Sequence, residues 1–170
     1  MPKLKVEINT REHKPLFGTQ AYPFKVENGW FVGAADIVSY EKEELFGTKL
    51  RALLQRRKNR DLFDIHEGWR QLSLDAGRLV GAFEHYLALE ENVITRANAE
   101  QRMLEKLTKS LTEDIAPLLL PGVEFTDDDA ILAFGVIWND VLPLLKGEPW
   151  KSSEKAIEQL REKKFPRLLL

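Results

Sequence analysis

Hydrophobic and polar positions change their period once along this chain, near position 40. Residues 3–9, KLKVEIN, alternate strictly. Leu4, Val6 and Ile8 share one face, and Lys3, Lys5, Glu7 and Asn9 share the other. That pattern predicts a half-buried strand with Glu7 at the centre of its polar face. Pro15, Gly18 and Pro23 mark residues 15–23 as a loop. Phe24–Val26 and Trp30–Val32 read as short strands joined by the turn-prone Glu27-Asn28-Gly29. From Ser39 the apolar spacing becomes helical. Ser39 is the expected N-cap of a helix running to about Lys58, with Glu41, Glu43 and Glu44 at its positive end. A break near Asn59 would start a second helix at Arg60 or Asp61. A joint at Leu72-Ser73-Leu74-Asp75 precedes a helix to about Glu91, with Leu79, Val80, Phe83, Tyr86 and Leu87 on its apolar side. Thr95 to about Leu119 is the next helical region, broken near Thr112 and ended by Pro117, Pro121 and Gly122. Thr126 opens another helix to about Leu145, and Ser152 or Ser153 the last one, to about Phe165. The fold class expected is α+β: a small β unit at 1–38 packed on a mainly helical body of five to seven helices at 39–170.

Composition narrows the chemistry. The 170 residues carry 44% apolar and 31% charged side chains with a net charge of −2. Nothing global draws the chain to nucleic acid or membrane, so any anion-binding surface must be a local patch. There is no cysteine, which excludes disulfides, thiolate zinc sites and cysteine catalysis and agrees with a cytoplasmic setting. No stretch reaches the roughly 18 uninterrupted apolar residues a membrane span needs.

The patch is KLRALLQRRKNRDLFDI, Lys49 to Ile65. On one continuous helix Lys49, Arg56 and Arg60 project within about 20° of a common direction. Such a stripe suits polyanions, either a nucleoside triphosphate or an RNA backbone. Asp61 and Asp64 follow at i, i+3, placed to fix the arginines or to face the same cleft. The plain alternative is a solvated helix face with intrahelical ion pairs. Other constellations have plainer explanations. Asp127, Asp128 and Asp129 after Thr126 are a helix cap rather than a metal site. His13, His66 and His85 lack ligand spacing. Trp30, Trp69, Trp138 and Trp150 are expected as core or half-core anchors. Glu7, taken alone, is a surface glutamate.

LKVEIN and, about 40 residues later, ELFGTKLRALLQRRKNRDLFDI together resemble the AbiEii/AbiGii nucleotidyltransferase toxin family of bacterial type IV toxin–antitoxin and abortive-infection systems. The second segment is similar to the family's Lys-Leu-x-Ala-Leu…Arg-x-x-x-Arg-Asp-x-x-Asp-Leu motif, with Ile65 in place of the final Leu. The resemblance implies nucleotidyl transfer from an NTP to RNA, notably the acceptor end of tRNA, with Mg as cofactor and an antitoxin as protein partner. Glu7 would correspond to the carboxylate that orders a magnesium ion or the attacking hydroxyl. Lys49 would contact nucleotide phosphates, and Asp61 and Asp64 would be the motif's aspartates. Arg60 and Arg56 would hold phosphate or orient these carboxylates. The family's opening Gly-Ser motif and Asp-x-Asp pair, which hold the catalytic metals, have no counterpart in these residues. The chain is therefore expected to correspond to the C-terminal part of such an enzyme and to be inactive alone. A non-catalytic helical module binding RNA or protein is the alternative, and a helical domain with no retained function is a third. Exposed strand edges around 3–9 and 24–32 would invite a homodimer by strand pairing.

Overall fold

The computed structural model describes residues 14–107, 112 and 115–162. The strand expected at 3–9 lies outside them. The described chain opens with an antiparallel hairpin of β1 (Thr19–Asn28) and β2 (Phe31–Tyr40). Asn28 pairs with Phe31 across a two-residue turn, Gly29-Trp30. The Asn28 Oδ1 accepts from the Trp30 N–H (3.2 Å) and the Phe31 N–H (2.9 Å), the side-chain turn that asparagine favours. Both strands are far longer than the sequence pattern indicates. Pro23, expected in a loop, sits within β1 opposite Asp36. A two-stranded ribbon leaves each strand one free edge, where a proline removes no obligatory ladder bond. Ser39 is likewise in β2, opposite Gln20, and is not a helix cap. Trp30, at the tip of the turn, is 88% exposed and anchors no core among the described residues.

Six α-helices follow among the described residues: α1 (Lys42–Gln55), α2 (Arg60–Leu72), α3 (Ala76–Leu89), α4 (Arg96–Lys106), α5 (Asp127–Val136) and α6 (Ser153–Arg161). The class is α+β, as the change of period indicates. Helix α1 begins after Glu41, which makes no side-chain cap bond. Its first turn instead carries Glu43 and Glu44, both buried and both near the positive end of the helix. Glu44 accepts the backbone N–H groups of Leu16 (2.7 Å) and Phe17 (2.8 Å) and the Tyr86 hydroxyl. It thereby pins the segment before the hairpin to α1 and α3.

The helix starts fall where the sequence puts them, after the joint at Asp75, at Thr95 and at Thr126, and all three residues are caps. Asp75 accepts the Arg78 N–H, and Thr95 accepts the Asn98 N–H. Thr126 and Asp129 form a reciprocal capping box, so the Asp127–Asp129 run is a helix start. Helix α5 ends at Val136, passes through one π turn (Ile137–Val141) and closes in a 3₁₀ turn (Leu142–Leu144) at Pro143. Helix α4 stops at Lys106, ahead of the break expected near Thr112, and a 3₁₀ turn (Ala116–Leu118) runs up to Leu119.

The core gathers Leu50, Leu53 and Leu54 of α1, Leu62 and Ile65 of α2, Leu79, Val80, Phe83 and Leu87 of α3, Met103 and Leu104 of α4, and Ile137 and Leu142 beyond α5. Helices α1 and α3 approach closely at Gly47. A Cβ there would stand 2.7 Å from the Ala82 Cβ and 2.8 Å from the Leu79 carbonyl oxygen. Helix α1 is thus clamped between α3 on one side and α2 on the other, and that clamp sets where Lys49 points.

Candidate active site

The site is built by the reversal of the chain between α1 and α2. The backbone leaves the helix at Arg56, which is extended (φ −98°, ψ 155°). It re-enters after Asn59, whose carbonyl accepts the Leu62 N–H at 2.8 Å. Lys49, Arg56 and Arg60 therefore do not form a stripe on one helix. Arg56 lies beyond the end of α1, and Arg60 is the first residue of α2, on the surface. The physical cause is the connection itself. Its carbonyls are satisfied by cations from α4 rather than by a continuing helix. The Lys106 Nζ donates to the Arg56 carbonyl (2.9 Å), the Lys58 carbonyl (3.2 Å) and the Asn59 Oδ1 (3.5 Å). The Arg102 Nη1 donates to the Leu54 carbonyl (3.2 Å). Cations at a helix C-terminus also oppose its dipole.

Folding back α2 against α1 brings together residues that a single helix would have spread along its length. The Lys49 Nζ lies 2.7 Å from the Asp64 Oδ2 and 3.7 Å from the Asp61 Oδ1. The Arg56 Nη1 lies 3.9 Å from the Asp61 Oδ2. The two carboxylates differ sharply in environment. The Asp61 side chain is 3% exposed, whereas that of Asp64 is 40% exposed. Among the described residues the buried Asp61 Oδ2 has no hydrogen-bond partner. Burying a carboxylate oxygen whose nearest described cation lies at nearly 4 Å is costly. Lys49 and Asp64 stand on the rim of a cavity of about 320 Å³. Leu45, Phe46 and Leu72 form its apolar wall, and Glu67 and Gln71 face them from α2. Gly68 keeps that wall close, since a Cβ there would meet the Phe46 ring at 2.1 Å.

Of the residues singled out in the sequence, Lys49, Asp61, Asp64 and Arg56 thus converge. Arg60 is near them in sequence but is exposed at the start of α2. Glu7 lies outside the described residues. His66 is buried against the Phe125 ring, 5.5 Å between centroids, which is a packing role. Trp138 and Trp150 are buried and Trp69 packs on the core, as expected of anchors. The sequence reading missed Arg102 and Lys106. Their i, i+4 spacing placed two cations on one face of α4, but nothing local shows that this face meets the end of α1.

The arrangement offers an ammonium fixed by one buried and one accessible carboxylate. Accessible carboxylates can yield their place to phosphate oxygens, while the buried one keeps the cation in position. No group of three or more His, Cys, Asp or Glu side chains suited to a metal ion occurs among the described residues. No helix of the described residues is long and apolar enough to cross a membrane.

Compared with known families, residues 1–138 match the model of the AbiEii family, described as the nucleotidyl transferase AbiEii toxin of the Type IV toxin–antitoxin system. No curated protein and no solved structure gives a significant match. The match spans both the β segment and the Lys49–Ile65 helix pair that builds the site. The chain belongs to the AbiEii nucleotidyltransferase toxin family of type IV toxin–antitoxin systems.

Proposed function

We propose that Lys49, Asp61 and Asp64 form part of a site for nucleotidyl transfer from a nucleoside triphosphate to RNA, with the acceptor end of tRNA as the substrate. The observation that carries this reading is the convergence of Lys49 on both aspartates at the rim of a cavity. In this reaction a substrate hydroxyl oxygen bonds to the α-phosphorus while the bond to the bridging oxygen breaks and pyrophosphate leaves. Lys49 is the cation for the phosphate oxygens, where charge develops. Asp64, the accessible carboxylate, is the acceptor for the hydroxyl proton. Asp61 positions Lys49, and Arg56 adds a second cation beside it. Toxins of this system act with an antitoxin partner, and triphosphates and tRNA place the reaction in the cytoplasm.

Magnesium commonly serves nucleotidyltransferases, and it needs several oxygen ligands in near-octahedral geometry. Asp61 and Asp64 do not supply such a set, because the Lys49 ammonium stands between them. The family resemblance assigns a metal role to Glu7, outside the described residues. None of the roles given to Lys49, Asp61 and Asp64 runs through the metal. The second reading is a non-catalytic module that binds RNA or protein, which the exposed cations Arg57 and Arg60 beside the α1–α2 connection would equally serve.

Two measurements test these readings. ATP affinity of the 170-residue chain is expected to fall about tenfold in Lys49→Met, the loss of one charge-assisted phosphate contact. Unchanged ATP affinity would remove Lys49 from phosphate binding. Transfer of label from an α-labelled NTP to tRNA, with magnesium, is expected to be absent with the pure chain. Robust transfer would show that these residues suffice and would retire the module reading.

A further inference from the structure

A larger cavity, of about 560 Å³, is lined by the end of α1, the α1–α2 connection and α4. We infer that this cavity is a second anion subsite, which takes the phosphate group of a nucleotide or of an RNA strand. The inference goes beyond the function proposed above and does not rest on it, since none of Lys49, Asp61 and Asp64 lines the cavity.

Arg56, Arg57, Arg102 and Lys106 supply four cations to its lining, against one carboxylate, Glu105. That is an excess of three positive charges in a chain whose net charge is −2. Part of this charge has an internal task. Lys106, 7% exposed, is committed to three oxygens of the connection, and one Nη of Arg102 to the Leu54 carbonyl. Arg57 takes no part in those bonds and is exposed on the same wall. A guanidinium has five N–H donors in a planar fork, and the bond to Leu54 uses one side of the Arg102 fork. Two guanidinium groups lining one concave surface suit phosphate oxygens, which accept from planar N–H forks. The volume is in the range of a site that encloses a nucleotide-sized group. Arg56 connects the two sites. It lines this cavity, and its Nη1 is the group 3.9 Å from the Asp61 Oδ2. A phosphate bound here would therefore lie beside the Lys49 cluster without competing for it.

The test is the double variant Arg57→Gln/Arg102→Gln of the whole chain. Its binding to ATP and to a short single-stranded RNA would be followed by fluorescence anisotropy over a range of salt. If the phosphate belongs to a strand, RNA affinity drops about tenfold. Removing two phosphate contacts then flattens the log–log salt slope by about 1.4, at roughly 0.7 per contact. If the phosphate belongs to a nucleotide, ATP affinity falls by a similar factor and RNA binding does not. Unchanged affinity and slope for both probes would overturn the inference. Should losing the Arg102–Leu54 bond lower the melting temperature, Arg57→Gln alone carries the test, with about half the change in slope. Lys49→Met in parallel separates the two claims. Loss of ATP binding there, with both probes unaffected by the double variant, refutes this subsite and leaves the Lys49 site standing. The reverse pattern does the opposite.

Discussion

Replacing Lys49 by Met should destabilise the protein, and most of that loss should be recovered by also replacing Asp61. In the native chain the Asp61 carboxylate is 3% exposed, with the Lys49 ammonium 3.7 Å away and the Arg56 guanidinium 3.9 Å away. At an effective dielectric of about 20, opposite charges at ~4 Å attract by about 4 kcal/mol. The Lys49–Asp64 contact adds less than about 1 kcal/mol, because the Asp64 side chain is 40% exposed and water screens it. Removing the ammonium also leaves a buried carboxylate with, among the described residues, one distant, half-exposed cation, and breaking a buried pair typically costs about 3–5 kcal/mol. Lys49→Met is therefore expected to cost about 3 kcal/mol, after allowing for the exposure of Lys49 and the remaining arginine. Asp61→Leu alone removes the buried charge but also the anchor of Lys49. The double variant, with neither charge, should lie within about 1.5 kcal/mol of the native chain. Urea unfolding of the four proteins, followed by circular dichroism, gives the coupling energy. A coupling below about 0.5 kcal/mol would refute the reasoning, because Lys49 and Asp61 would then not depend on each other. The double variant also separates stability from function: it should fold, yet bind ATP as poorly as Lys49→Met.

Three further outcomes are expected. Gly47→Ala should cost about 2–3 kcal/mol in the same unfolding assay, because its Cβ would press on the Leu79 carbonyl and the Phe83 backbone, which cannot rotate away; a neutral result would mean that α1 and α3 can separate at no cost. The Thr126 backbone N–H, followed by its hydroxyl, donates to Asp129 and holds that carboxyl below its usual value, so its contribution to stability is present above the ordinary carboxylate pKa and lost as pH falls through the lowered one. The melting-temperature deficit of Asp129→Asn should accordingly be present at neutral pH and vanish in strong acid, and a deficit independent of pH would contradict the capping box. In β1 and β2, each strand is paired only to the other among the described residues and most side chains are exposed, Phe24, Val32 and Val38 included; such edges favour association by strand pairing. Sedimentation at tens of micromolar should show dimer, and a clean monomer would remove that expectation.

Local signals in this chain were legible where one physical cause dominates. Helical periodicity marked the apolar side of α3 and the starts of α3 and α4, and Thr126 was legible as a cap, because a cap depends on atoms within three residues of itself. The ends of the hairpin were not legible. Pro23 reads as a breaker in isolation, and only the free edge of a two-stranded ribbon makes it acceptable in β1. Ser39 reads as a cap, and only its pairing with Gln20 keeps it in a strand. Trp30 reads as core, yet its place at the tip of the turn leaves it in solvent.

For the site, the order of residues from Lys49 to Asp64 was enough to indicate cations and carboxylates acting together and to point to the family. Their meeting was decided by tertiary structure. Lys49 reaches Asp61 and Asp64 because α1 stops at Gln55 and α2 folds back along it. That stop is held by Lys106 and Arg102, about 50 positions further along the chain, which supply the donors a continuing helix would have provided. Sequence alone determines which charges are available and how they are spaced. Only packing decides which are buried, and burial is what separates Asp61, a fixed anchor, from Asp64, a carboxylate free to exchange its partner.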